Sequence, residues 1–225
     1  MRSDAARRQA GIGGLAVVVL FGGGSALWGL DMPSGGTPVA EVLDFYRATA
    51  DRIVIGASLS LLGIAAFVWF AAAVRQVLLD AGADEVLATT AFGGALLSMA
   101  AGIGAETINM TAALRAQDGD LTAPLAQTLF EISQILGSVA SGVGGGVFAV
   151  AVGVAALRTP GTLPRPVALL VLVTGVALLT PLSYVNVVAG AAMVLLSGTI
   201  GATLVRGSPA GHLPSSSHHR SRRGE

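Results

Sequence analysis

Six apolar stretches fill most of the chain between Ile12 and Val205, and each needs a surrounding other than water. Crossing ~30 Å of hydrocarbon takes about 20 helical residues at ~1.5 Å each, and backbone inside it must satisfy its own hydrogen bonds, so such runs dictate helices. The stretches are roughly 12–30, 53–79, 86–114, 125–157, 167–180 and 184–205. Only Thr180-Pro181-Leu182-Ser183 separates the last two. As one helix, 167–205 would run about 58 Å, nearly twice the hydrocarbon thickness, so a hairpin turning at Pro181 fits better. Composition agrees: 12% of residues are charged and 53% apolar, whereas about a quarter of a soluble domain is charged. The expected fold is an all-α polytopic membrane protein, a bundle of six transmembrane helices over 1–206.

Arginine placement tests that division, because short cytoplasmic loops collect basic residues. With six spans and both termini inside, Arg2, Arg7, Arg8, Arg75, Arg158, Arg165, Arg206, Arg220, Arg222 and Arg223 fall on the cytoplasmic side, ten of the thirteen basic residues. Arg47, Arg52 and Arg115 fall outside among Asp31, Glu41, Asp44, Asp51, Asp118 and Asp120. A cleaved signal is the rival for the first stretch, given its basic start and small Gly24 and Ala26. A plain first span is the better reading, since the apolar run continues through Trp28 to Leu30. The expected location is the cytoplasmic (inner) membrane, multi-pass.

The connections are legible as helix ends. Gly82 followed by Asp84 supplies a stop and then an N-cap, which makes a tight hairpin of the second and third spans. The run TPGTLPRPV, residues 159–167, is a Pro-rich turn. Between Asp31 and Arg52 the loop-forming MPSGGTP gives way to an amphipathic helix. Val39, Val42, Leu43, Tyr46 and Ile53 share one side of it, and Glu41, Asp44, Arg47 and Asp51 the other. It is expected to lie along the outer membrane surface as an interfacial helix. The tail, 207–225, is too polar to fold and is expected to be disordered, with Arg220, Arg222 and Arg223 near anionic lipids. His218 and His219 lack a preorganised third ligand, so no metal is expected.

Helix periodicity brings out one candidate site. Gly94, Ser98, Gly102, Glu106, Asn109 and Ala113 share a face of the third span at i, i+4 and i+7 spacing. On the fourth, Gln127, Glu131, Gln134, Ser138 and Ser141 do so, with Gly137, Gly142, Gly145, Gly146, Ala149 and Gly153 on neighbouring stripes. Small residues with polar groups at one end are how membrane helices approach and hydrogen-bond, so these two spans should pack together. Folding about Asp118-Gly119 puts Glu106 level with Glu131. Two carboxylates that close would share a proton, or hold a cation or Arg115 between them. Glu106, Asn109, Gln127, Glu131 and Gln134 are therefore a candidate proton or cation site, or else a hydrogen-bonded clasp. Asn186, Gly190 and Gly198 form a packing stripe on the last span.

Absences narrow the functions. All three histidines, His212, His218 and His219, lie in the tail, so no span offers haem ligands or a histidine base. There is no lysine for a phosphate-cradling G-x-x-x-x-G-K-[ST] loop and no cysteine for a thiolate. Net charge is zero, and nucleic acid is not an expected partner. Neither enzyme activity nor a cofactor is expected. Three functions remain. The foremost is a structural or accessory membrane protein acting through lipid, partner or self-contacts. A small proton- or cation-coupled transporter using Glu106 and Glu131 comes second, and an enzyme acting on lipids at the outer surface third.

LPRPVALLVLVTGVALLTPL, residues 163–182, carries Leu163-Pro164-Arg165, a central Gly175 and Leu179-Thr180-Pro181-Leu182. It resembles the C-terminal hairpin of a group of uncharacterised actinobacterial six-helix integral membrane proteins, with Pro166 and Val167 where that group carries an aromatic pair. The resemblance implies the six-helix fold and an inner-membrane location, and brings no known activity.

Overall fold

A computed structural model describes residues 2–34, 36–180 and 186–206, with the side chains of 2, 3 and 186–189 excepted. The described residues form helices and turns only. Helix α1 (Arg2–Val17) passes through a wide π turn (Val18–Gly22) into α2 (Gly23–Gly29), and α3 (Val39–Asp80) and α4 (Glu85–Gln117) follow. Helix α5 (Ala123–Gln134) likewise passes through a π turn (Ile135–Ala140) into α6 (Ser141–Arg158), before α7 (Arg165–Leu178) and α8 (Asn186–Arg206). The result is six rods, four of which (4–29, 39–80, 85–117 and 123–158) are long and apolar enough to cross a membrane. The hairpin expected at Pro181 falls on residues outside those described. A single helix over 167–205 is nonetheless ruled out, because α7 ends at Leu178.

The turns form as the sequence dictates. Gly82 adopts φ 85°, and the Asp84 carboxylate accepts from Val86 N at 2.9 Å and Leu87 N at 3.2 Å, so α3 stops and α4 starts within four residues. Gly119, φ 77°, makes the α4–α5 turn. Consecutive rods are antiparallel, and α8 closes against α1. Arg7, Arg8, Arg75, Arg158, Arg165 and Arg206 therefore gather at one end of the bundle, and the Gly119 turn lies at the other.

Backbone proximity holds the arginine half together. A Cβ on Gly94 would stand 2.6 Å from Phe148 N, and one on Gly144 would meet the backbone of Ser98. Gly14 similarly faces Ser197 O, Gly56 faces Gly24 O, Gly63 faces Phe21 and Gly175 faces Val150 N. Around these contacts Phe67, Phe70 and Phe148 stack with centroids 5.5–6.2 Å apart. Several span hydroxyls turn back onto their own helices, as Ser58 to Val54 O, Thr107 to Ile103 O and Ser197 to Met193 O do, which satisfies those donors in an apolar surrounding.

Beyond these contacts lies a second core, made of Trp28, Val42, Phe45, Tyr46, Ala50, Ile53, Ala112, Ala113, Leu121, Ala126 and Phe130. It corrects one expectation. The amphipathic stretch before residue 53 is not a separate interfacial helix: it is the start of the unbroken α3, 42 residues long and about 63 Å from end to end. Val42, Tyr46 and Ile53 are wholly buried under α4 and α5. Periodicity identifies the apolar face correctly but cannot say whether lipid or protein covers it. The ion pair Arg52–Asp31 (2.8 Å) and the bond from Gln117 Nε2 to Asp51 Oδ1 (2.6 Å) brace the charged side of this headpiece.

Gly93 and Gly94 are adjacent and opposite in character, since a Cβ on Gly93 would meet nothing within 4 Å. Gly94→Ala should destabilise the detergent-solubilised protein by about 1–3 kcal/mol through overpacking, whereas Gly93→Ala should be neutral or stabilising by up to about 1 kcal/mol. Denaturant unfolding of the two variants checks this; equal effects would refute the α4–α6 contact.

Candidate functional site

Glu106 is among the most buried charged groups described, 7% exposed, on the face of α4 that turns toward α3. Its carboxyl neighbours the Ser60 hydroxyl, and Ser60 Oγ is 3.4 Å from Ser25 Oγ on α2. The other carboxyl oxygen, Oε2, has no hydrogen-bond partner in the protein. A buried ionised carboxylate is expensive without a partner, so this position suits either a neutral acid or a bound cation.

One turn further along α4, Asn109 Oδ1 accepts from Tyr46 Oη at 2.9 Å, and Tyr46 is also in reach of the Ser133 hydroxyl on α5. Tyr46 thus stands between the two helices that sequence periodicity paired directly. Phe45 packs edge-on against it, centroids 5.4 Å apart. The polar interior is a short ladder, Ser25–Ser60–Glu106 and then Asn109–Tyr46–Ser133, running across α2, α3, α4 and α5.

The expected pairing of Glu106 with Glu131 is not formed. Glu131 lies exposed on α5 and accepts from Gln127 Nε2 at 2.6 Å, an ordinary i, i+4 contact. Gln134 is half-buried and donates through Nε2 to Met32 Sδ at 2.7 Å. Arg115 is exposed, nine residues past Glu106 and about 13 Å along the helix, so it does not bridge the carboxyls. Two physical causes separate the glutamates. A row at i, i+4 spacing drifts by about 40° per step. The stripe from Gly94 to Glu106 therefore turns about a third of the way round α4, facing α6 at Gly94 and Ser98 and α3 from Gly102 onward, where a Cβ would meet Ile64 at 3.3 Å. On the other rod the π turn Ile135–Ala140 inserts extra residues, so the face of α5 is out of phase with that of α6.

The packing residues divide in the same way. Ser98 Oγ donates to Ser141 O at 2.9 Å, close to the register expected from the Gly119 turn. Ser138 is buried and bonds within its own helix to Gln134 O. Gly142 is buried. Gly146 packs on Leu179 and Gly175 O beside α7 rather than on α4, and Gly198 packs on Val18 of the first rod at 3.1 Å. Gly190 meets nothing within 4 Å; it borders a cavity of about 40 Å³ lined also by Phe21 of the first π turn, Gly137 of the second, Met99 and Met193. The Asn186 side chain lies outside the described residues.

Sequence reasoning missed Tyr46, Ser60, Ser25 and Ser133. A signal existed for Ser60, which lies between Gly56 and Gly63 on a small-residue face of the second span, the same pattern that singled out Ser98.

Tyr46→Phe should destabilise by about 1 kcal/mol, because it leaves Asn109 Oδ1 buried without its donor. The double variant Tyr46→Phe/Asn109→Leu should cost less than the sum of the single changes, and a double-mutant cycle on unfolding free energy reads this coupling. A coupling of zero would mean that the bond adds nothing.

No protein-family model, curated protein or solved structure matches the chain.

Proposed function

We propose that this is a multi-pass protein of the cytoplasmic membrane, with its arginine end and both termini inside, that acts as an accessory protein by presenting its headpiece to a protein partner. The observation that carries this reading is the second buried core at the end remote from the arginines. Its outer surface bears Glu41, Asp44, Arg47, Asp51, Asp118 and Asp120, a mixed-charge face typical of contact with water and polar partners. The arginine half instead exposes Leu15, Leu62, Trp69, Leu97, Val173 and Leu195, which suits lipid. The basic loops follow the bias of cytoplasmic loops toward arginine, and the resemblance to uncharacterised actinobacterial membrane proteins implies the same location.

The chain has no cysteine, so single cysteines introduced at Asp44, Asp118, Asp84 and Gly161 report topology without background. Positions 44 and 118 should react with a membrane-impermeant maleimide in intact cells, and 84 and 161 only after permeabilisation; the reverse pattern sinks the orientation. Photocrosslinking residues at 44 and 118 should give discrete protein adducts in cells, and one at Trp69 none. Absence of adducts from both headpiece positions would remove the accessory reading.

The unpartnered oxygen of Glu106 favours a second reading, a proton or cation site, since buried ionisable groups in membrane helices commonly serve transport. It assigns that work to Glu106 alone. In proteoliposomes under a pH gradient, Glu106→Gln should abolish protein-dependent proton or cation flux, and Glu131→Gln should leave it unchanged. No flux from the wild-type protein under either gradient would end this reading.

A further inference from the structure

At the arginine end, α1, the α6–α7 turn and the end of α8 enclose a cleft of about 710 Å³. Its polar lining comprises three arginines from three separate elements, Arg7, Arg165 and Arg206, with Thr162 and Thr203, whose hydroxyls donate to Thr159 O and Thr199 O. No carboxylate lines it among the described residues. Arg7 spends one N–H on Gly161 O at 3.3 Å, which fixes its guanidinium at the cleft wall and leaves most of its five donors for another acceptor. Pro164, Arg165 and Val167 of the cleft wall begin α7, whose first turn has no side-chain cap, so its amide dipoles add to the positive field there.

The acids of this end are engaged elsewhere. Asp84 caps α4, Asp80 accepts from Gln76 Nε2 at 2.7 Å, and Glu85 lies 3.9 Å from Arg75, all on the α3–α4 side. Asp4 is one turn before Arg7 and is not part of the lining. Guanidinium groups brought together without counter-charge repel one another, and a tetrahedral oxyanion relieves that repulsion through paired N–H···O bonds. Leu157, Leu163, Pro160 and Val167 make the rest of the wall apolar.

We propose that this cleft binds a phosphate group, with the guanidiniums of Arg7, Arg165 and Arg206 as its ligands. The phosphate belongs either to an acidic phospholipid or to a soluble phosphate, and the apolar wall suits the lipid. The assignment concerns different residues from the tail arginines, and it stands whether or not the headpiece binds a partner.

The test uses the full chain in mild detergent. Native mass spectrometry titrates phosphatidylglycerol, and calorimetry titrates inorganic phosphate, on the wild type, on Arg7→Gln/Arg165→Gln/Arg206→Gln and on Arg220→Gln/Arg222→Gln/Arg223→Gln. With each arginine contributing a factor of about five, the cleft variant should bind phosphatidylglycerol about a hundredfold more weakly and the tail variant as the wild type does. Wild-type binding of inorganic phosphate that disappears in the cleft variant, without lipid binding, would support the site and name its ligand as soluble. Lipid binding that survives in the cleft variant, or that is lost in the tail variant instead, overturns the proposal, as does failure of the wild type to bind either probe. Should the triple variant not remain monodisperse, Arg206→Gln, exposed at the end of α8, replaces it with an expected fivefold loss; an unchanged affinity there overturns the proposal equally.

Discussion

Contact of backbone with backbone is the constraint on which this molecule depends. Inside lipid, apolar side chains gain little by leaving one apolar surrounding for another, so helices adhere through dispersion and close approach. Glycine makes that approach here, and its partner is often another small residue: Gly144 with Gly94 and Ser98, Gly24 with Gly56 and Ser60, Gly14 with Gly201. Each pair fixes a crossing point. Because consecutive rods are antiparallel, these crossing points also fix which loops share an end.

Toward the headpiece the packing changes character. Glycine gives way to Trp28, Phe45, Tyr46, Ile53 and Phe130, so the rods separate and large side chains fill the space between them. Glu106 and Ser60 lie at the junction of the two regimes. Below them the polar side chains at the contacts are small, as where Ser98 bonds to Ser141 O; above them Tyr46 and Asn109 satisfy each other.

The helical architecture was legible in the sequence because length and hydropathy depend on neighbours along the chain. The Gly82–Asp84 hairpin was equally plain, since a left-handed glycine and an N-cap are local chemistry. The pairing of Glu106 with Glu131 was not, for reasons that are geometric rather than statistical. A straight i, i+4 stripe drifts around its helix, and a π turn resets the phase of the rod that carries Glu131. Neither effect is visible in residue identities. The burial of α3's amphipathic start under α5 brings residues some eighty positions apart, such as Tyr46 and Phe130, into one core, and no local pattern encodes that.

The same antiparallel order that builds the bundle also divides its chemistry. Every second turn returns to the arginine end, so arginines distant in sequence, Arg7, Arg165 and Arg206, line one cleft although no single stretch of sequence groups them. The opposite end carries more carboxylates than arginines, Asp31, Glu41, Asp44, Asp51, Asp118, Asp120 and Glu131 against Arg47, Arg52 and Arg115, and Arg52 pairs with Asp31. Positive charge around a cleft that no described carboxylate lines, and mixed charge of net negative sign on an open face, are different electrostatic situations. The first draws an anion out of its surroundings; the second gives orientation and selectivity to a protein contact. The two ends of this bundle are thus suited to different partners, and the close-packed glycine interior holds them at a fixed separation.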